Sequence, residues 1–159
     1  MSDASRPDLE IVGQAVLRDY PLRLWARQQQ HTDEVLREFN LLIGGQELAD
    51  SAAPVRLVQL AQMFSDSFGS MIDELTAARQ AQYDAGADRM DWRVPLPRST
   101  PTLMRQVQAA WTAVDDYCAS GQLLTLARPA EVIALQEWSS VELIRQAEGA
   151  QPTPWPGPF

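Results

Sequence analysis

The chain is poor in the residues that build most catalytic and metal sites. Its 159 residues contain one cysteine, Cys118, one histidine, His31, and no lysine. A single cysteine excludes an intramolecular disulfide and any metal site built from several cysteines. A single histidine excludes a metal site with three histidines, and it excludes the paired Glu-x-x-His motifs of a di-iron bundle. We therefore expect no metal and no cofactor.

Positive charge and long apolar runs are also scarce. Thirteen arginines stand against 21 acidic residues, which gives a net charge of −8. An acidic surface repels phosphate backbones and anionic membranes, so we expect neither nucleic acid nor a membrane as partner. No apolar run is long enough to span a bilayer, and the first ten residues show no secretory signal. These observations predict a cytoplasmic protein.

Four stretches repeat apolar residues at intervals of three and four positions, which is typical of amphipathic helices. Each begins at a proline, which suits the first turn of a helix, and is followed by a glycine, which suits a C-terminal cap. The prolines are Pro21, Pro54, Pro101 and Pro129, and the glycines are Gly44, Gly86, Gly121 and Gly149. Within the second helix, Gly69 predicts a close approach to a neighbouring helix, because glycine otherwise weakens a helix.

The segments between and beside these helices are less regular. Residues 9–20 fit a helical stripe, a short strand or an extended arm. Residues 89–101 alternate apolar residues with polar residues or proline, which predicts an extended strap packed on the helices. Its three prolines exclude a central sheet strand. The four prolines of residues 150–159 predict a polyproline-like tail, either docked through Trp155 and Phe159 or free.

Together these patterns predict an all-α fold. We expect an antiparallel four-helix bundle over residues 21–149, with an N-terminal arm over residues 1–20 and a Pro-rich tail over residues 150–159. The extended strap connects the second and third helices. The sequence lacks a nucleophile elbow, a phosphate-cradling loop and a dinucleotide fingerprint, so we expect no enzymatic activity.

His31 is the first candidate for chemistry, because histidine is the side chain that changes charge near neutral pH. Its position on or beside an apolar stripe favours a partly buried histidine that is hydrogen-bonded to a neighbouring helix. A phosphotransfer role is an alternative, since HTDEVLREF is loosely similar to the histidine box of bacterial sensor kinases. The usual proline of that box and a following glycine motif are missing. A small-molecule site lined by tryptophans near His31 is a second alternative.

Protein binding is the leading functional interpretation. The outer face of the first helix carries charged residues, and tryptophans are enriched at interface hot spots. A homo-oligomer is also left open by the sequence. The candidate partner-binding residues are Arg27, His31, Glu34, Arg37, Glu38, Trp92 and Trp155.

Three stretches of the sequence resemble a known group of proteins. They are QQQHTDEVLREFNLLI in the first helix, YCASGQLLTLAR at residues 117–128, and PTPWPG in the tail. They resemble a group of small actinobacterial helical proteins of unassigned activity. Members of that group tend to be encoded beside anti-sigma-factor antagonist (STAS) domains and ATP-binding anti-sigma regulators. The resemblance spans residues 19–157 and supplies no catalytic residue. It implies an accessory role in partner-switching signalling, with one of those regulators as the protein partner.

Overall fold

The computed structural model describes residues 8–45, 52–121 and 124–158. Residues 1–7 of the predicted arm and Phe159 of the predicted tail lie outside the described residues. The elements are β1 (Ile11–Pro21), α1 (Leu22–Gly45), α2 (Ala53–Asp84), β2 (Arg89–Pro97), α3 (Thr100–Ala119) and α4 (Ala130–Ala147). The four helices lie within a few residues of the positions that the apolar periodicity predicts.

The prediction of an all-α four-helix bundle is wrong, because β1 and β2 pair as a two-stranded antiparallel sheet. Ala15 lies opposite Val94, and Leu17 lies opposite Trp92. The stretch that fitted a helix, a strand or an arm is therefore a strand, and the predicted strap is its partner. Alternate side chains of a strand point to opposite faces, so Ala15 and Leu17 both reach the buried face.

The prolines of β2 fit its position at the edge of the sheet. Among the described residues, β2 pairs only with β1. Proline has no N–H to donate to a ladder, so it is tolerated where one side of a strand has no neighbour. On the other side of β1, Arg18 forms a bridge with Pro154 of the tail, and the amide of Trp155 donates to the carbonyl of Arg18 at 2.9 Å.

Two apolar clusters hold the helices and the sheet together. The first cluster combines β1, α1, α4 and the tail, and consists of Leu17, Tyr20, Leu22, Leu24, Trp25, Val132, Leu135 and Trp155. The second cluster combines α1, α2 and α3, and consists of Val35, Phe39, Leu57, Trp111, Val114 and Cys118. Since α1 contributes to both clusters, it is the element that joins the two ends of the fold.

Two further observations concern the helices. A Cβ atom placed on Gly69 would meet no described residue outside the backbone of α2 itself within 4 Å, so the predicted close approach of a neighbouring helix at Gly69 is wrong. Among the described residues, no helix combines the length and the apolar character that crossing a membrane requires.

Candidate functional site

The segment that leads from α3 to α4, residues 124–128, is held against α1 by side chains of that helix. We call this segment the connector. His31 Nε2 lies 2.7 Å from the carbonyl oxygen of Leu126. A carbonyl oxygen only accepts hydrogen bonds, so this contact requires the proton on Nε2. His31 therefore donates to the connector backbone, and its Nδ1 atom is buried without a hydrogen-bond partner among the described residues.

Glu38 holds the connector from the same face of α1, two turns further along the helix. Its carboxylate accepts hydrogen bonds from the backbone amides of Leu124 at 3.1 Å and Thr125 at 2.8 Å. The Thr125 hydroxyl also donates to it. Two amides that would otherwise face solvent are thus satisfied by one carboxylate, and the connector has a defined backbone conformation.

The far end of the connector is fixed by an ion pair. The guanidinium of Arg128 contacts both carboxylate oxygens of Asp115 on α3, with Nη2 to Oδ2 at 2.7 Å and Nε to Oδ1 at 3.1 Å. The two side chains are 6% and 18% exposed. Arg128 also donates to Gln136 of α4. A bidentate ion pair of this kind has a defined geometry, so Arg128 sets the position of the connector relative to α3 and α4.

Trp111 of α3 lies close to both His31 and Arg128. Its ring centroid is 6.0 Å from that of His31, and the guanidinium carbon of Arg128 is 5.3 Å from the Trp111 centroid. Trp111 belongs to the second apolar cluster and is buried. His31 and Arg128, which fix the connector, thus both lie next to the ring of Trp111, and this ring is part of the core.

The side chains of the connector divide between core and solvent. Thr125 is buried, whereas Leu124 and Leu126 are 94% and 79% exposed. This alternation is typical of an extended segment, in which every second side chain points the same way. Leu124 and Leu126 are therefore exposed to solvent, and hydrogen bonds from α1 side chains hold the backbone that carries them.

The partner-binding residues predicted on α1 have different surroundings. Arg27 forms an ion pair with Glu131 of α4 at 2.6 Å. Glu34 accepts a hydrogen bond from Gln30 at 3.1 Å, and Arg37 is exposed. Within the part of the chain that the structure describes, His31 and Glu38 are the members of this predicted set that are hydrogen-bonded to the connector.

Trp92, predicted as a partner anchor, is half-buried and packs against an arginine of the same chain. The guanidinium carbon of Arg79 lies 3.8 Å from its ring centroid and 4.8 Å from that of Trp25. The Arg79 guanidinium also donates to the Tyr20 hydroxyl at 3.5 Å. Burial lowers the pKa of Arg79 and raises the pKa of Tyr20, because each charged form loses water. Trp92 is therefore one wall of an aromatic cage that an arginine of the same chain occupies.

Trp155, the other predicted anchor, is 7% exposed and fixes the tail. Its ring packs edge-on against Trp138 of α4 with a centroid distance of 5.3 Å. Its Nε1 atom donates to the carbonyl of Pro158 at 3.0 Å. The described part of the tail is thus docked through Trp155, as one of the two predicted alternatives states for that residue, and Trp155 has little surface to offer a partner.

The geometry around His31 disfavours nucleophilic or phosphoacceptor chemistry. Nε2 is bonded to a backbone carbonyl and Nδ1 is buried, so neither nitrogen faces an incoming phosphoryl group. Within the described ranges, no group of three or more His, Cys, Asp or Glu side chains is arranged to hold a metal ion. The arrangement positions a surface segment, which is a structural role.

Comparison of the chain with protein-family models, with curated proteins and with solved structures found no match. The resemblance to the actinobacterial group therefore stays a prediction.

Sequence reasoning missed the most distinctive parts of this site. No functional role was predicted for Leu124 and Leu126, and Arg128 and Asp115 lie on separate segments of the chain. One signal was available in the sequence. An apolar run of fewer than six residues between Gly121 and Pro129 is too short for a helix.

Proposed function

We propose that this protein is a non-enzymatic regulatory module that binds another protein through its connector. The observation that carries the proposal is the display of Leu124 and Leu126, 94% and 79% exposed, on a backbone held by His31 and Glu38. A segment that is ordered before binding loses less conformational entropy when a partner docks. The connector therefore has both the apolar surface and the fixed conformation that a docking element requires.

The partner that fits this surface is a protein with an apolar groove that accepts two leucine side chains. The net charge of −8 favours a groove with a basic rim, because opposite charges accelerate encounter. The resemblance described above supports two classes of cytoplasmic partner, a STAS protein or an ATP-binding anti-sigma regulator. In such a circuit the protein adds or blocks a contact, and its own side chains need no chemistry.

Binding measurements with a double variant of the connector test this proposal. The full chain is titrated calorimetrically with a purified STAS protein and, separately, with an ATP-binding anti-sigma regulator. Leu124→Ser/Leu126→Ser is expected to weaken binding at least tenfold, since burying one leucine contributes about 1.5–3 kcal/mol and a tenfold change needs about 1.4 kcal/mol. Because both leucines are exposed, we expect the double variant to fold as stably as the unaltered chain. Circular dichroism checks this expectation.

The matched control is Leu9→Ser, which changes a leucine that is 47% exposed and precedes β1. It is expected to bind like the unaltered chain. Equal affinity of the double variant and the unaltered chain would refute the connector as the binding surface. If neither regulator class binds, analytical ultracentrifugation distinguishes a second copy of this chain as the partner, because self-association would then depend on Leu124 and Leu126.

A further inference from the structure

A cavity of about 130 Å³ lies between α2, β2 and α3, with one contribution from α4. Phe68 and Ile72 line it from α2, Val94 and Leu96 from β2, and Leu103 from α3. The cavity shares no lining residue with the connector site, and no tryptophan lines it. It is therefore a feature separate from the proposed protein-binding surface.

The walls of the cavity are apolar. Thr100 is the one lining residue whose side chain carries a polar group, and its hydroxyl donates to the carbonyl of Pro97 at 2.6 Å. A buried water needs two to four polar partners, and among the described lining side chains only the Thr100 hydroxyl, whose proton is already donated, can accept a hydrogen bond. The space is thus suited to an apolar occupant rather than to water or a polar ligand.

The cavity coincides with a gap in the packing of the protein. Phe68, Val94, Leu96 and Leu103 are buried, yet none of them belongs to either of the two apolar clusters. A domain of this size usually has one contiguous core. Side chains that border a void lose dispersion contacts on that side, and an apolar molecule in the void restores them.

The wall formed by α2 gives a route for entry. Most lining side chains of α2, including Ile72 and Leu75, are only half-buried, as are Pro95 of β2 and Met104 of α3, whereas the other described lining residues of β2 and α3 are buried. Met71 of α2 also lines the cavity. A methionine side chain is unbranched and flexible, so it can move aside for a ligand at little cost.

We propose that this cavity binds a compact apolar molecule of the size of one aromatic ring. The pocket is open to solvent on one side, between half-buried lining side chains, and its volume is close to that of an apolar cavity of about 150 Å³ that takes up benzene or xenon. A long acyl chain exceeds this volume, a charged ligand finds no counter-charge among the described lining residues, and a hydroxylated ligand finds one polar side chain, Thr100, whose proton is already donated to Pro97. Occupation fills the gap between α2 and the sheet, and so stabilises the arrangement of α2 against β2.

The test uses the full chain and benzene as the probe, followed by methyl chemical shifts and by thermal unfolding. The shifts are expected to concentrate at Ile72, Val94, Leu96 and Leu103. Benzene at ten times its dissociation constant is expected to raise the Tm by about 3 °C. Phenol, which has the same ring and one hydroxyl, is expected to bind at least tenfold more weakly. Absence of benzene-induced shifts at these methyls, or equal affinity for phenol, would overturn the proposal.

Two variants at equivalent residues of α2 separate filling of the cavity from a general effect on the helix. Met71→Trp places an indole in the cavity and is expected to weaken benzene binding at least tenfold. Met63→Trp makes the same change at a position that does not line the cavity, and it is expected to bind benzene normally. Equal binding by Met71→Trp and the unaltered chain would contradict the proposal.

If Met71→Trp does not fold by circular dichroism, Leu103→Ala replaces it in the test. This variant enlarges the cavity, so p-xylene is expected to bind it at least tenfold more tightly than it binds the unaltered chain. Unchanged p-xylene affinity would count against the assigned position of the site. The readout is ligand binding and does not depend on any protein partner, so its failure is distinguishable from failure of the connector proposal.

Discussion

The carboxylate of Glu142 on α4 accepts a hydrogen bond from the hydroxyl of Thr153 in the tail at 2.6 Å. Glu142 is 2% exposed and also accepts hydrogen bonds from the Thr153 amide at 3.2 Å and from Gln146 at 3.0 Å. Burial raises the pKa of Glu142, but these hydrogen bonds and the charge of Arg145 outweigh that effect. The pKa of Glu142 therefore lies below its usual value of 4.5 in the folded protein.

Loss of the Glu142 charge is expected to loosen the tail at acid pH. Because the folded pKa is lowered, Glu142 stabilises the fold above pH 4.5, and this stabilisation is lost as the pH falls through the folded pKa. Glu142→Gln is expected to lower the free energy of unfolding at pH 7 by about 1–3 kcal/mol, since buried hydrogen-bonding groups lose their partner. The difference from the unaltered chain should shrink at pH 3, as measured by urea unfolding.

A matched variant on the same helix makes this prediction specific. Glu137 is exposed on α4, and Glu137→Gln is expected to change stability little at either pH. Hydrogen exchange of the Trp155 amide, which donates to Arg18, should become faster in Glu142→Gln and remain unchanged in Glu137→Gln. A difference between Glu142→Gln and the unaltered chain that is the same at pH 3 and pH 7 would contradict the assigned role of the charge.

Breaking the buried pair of Arg128 and Asp115 is expected to destabilise the protein strongly. Asp115→Ala leaves the guanidinium of Arg128 buried without its counter-charge, which typically costs about 3–5 kcal/mol. The double variant Asp115→Leu/Arg128→Met removes both charges and is expected to lose less than Asp115→Ala alone. Denaturant unfolding of the three proteins measures both effects.

An exposed ion pair supplies the comparison for Arg128 and Asp115. Arg98 and Glu10 lie 2.7 Å apart with side chains that are 57% and 62% exposed. Solvent and salt screen such pairs, so Glu10→Ala is expected to shift the unfolding midpoint far less than Asp115→Ala. Equal shifts for the two variants would show that burial does not determine the strength of these interactions.

The spacing of apolar residues was sufficient to predict the helices, because apolar residues at intervals of three and four positions lie on one face of a helix, and that face is buried. It was not sufficient for the sheet. Residues 9–20 fit a helical stripe, a short strand or an extended arm, and the pairing of β1 with β2 joins segments far apart in the chain. The prolines Pro95 and Pro97 correctly excluded a central strand, and β2 takes the edge position that they allow.

For the candidate site, the sequence correctly predicted the half-buried position of His31, but it did not predict the group to which His31 is hydrogen-bonded. The ring is half-buried and hydrogen-bonded, as predicted, but its hydrogen bond goes to the connector rather than to a neighbouring helix. Burial of Trp155 and enclosure of Arg79 by Trp92 depend on how distant segments fold together. Helix periodicity carries no information on such contacts, so tryptophans of the core could not be told from tryptophans of a surface.

Cys118 is expected to react slowly with thiol reagents in the folded protein. Burial raises the pKa of its thiol above 9.0, and the negative charges of Asp115 and Glu38 raise it further, so little thiolate forms near neutral pH. Modification by Ellman's reagent at pH 8 should be at least about tenfold slower than in urea-unfolded protein. Ser120→Cys in a Cys118→Ala background places a thiol at an exposed position and should react at the unfolded rate. Equal rates for the two folded proteins would contradict the burial of Cys118.

Replacement of Gly69 by alanine is expected to stabilise the protein. Gly69 lies inside α2, and an added Cβ meets no atom within 4 Å, so the change meets no steric obstacle. Alanine is favoured over glycine by about 0.5–1 kcal/mol within a helix, because glycine loses more backbone entropy on folding. Gly69→Ala should therefore raise the urea midpoint without changing the m-value. Gly86, which follows α2, has a φ of 85° and equally open space, yet Gly86→Ala should lower the midpoint, since alanine disfavours that backbone conformation. A decrease in stability for Gly69→Ala would show that α2 has a tightly packed neighbour at this position.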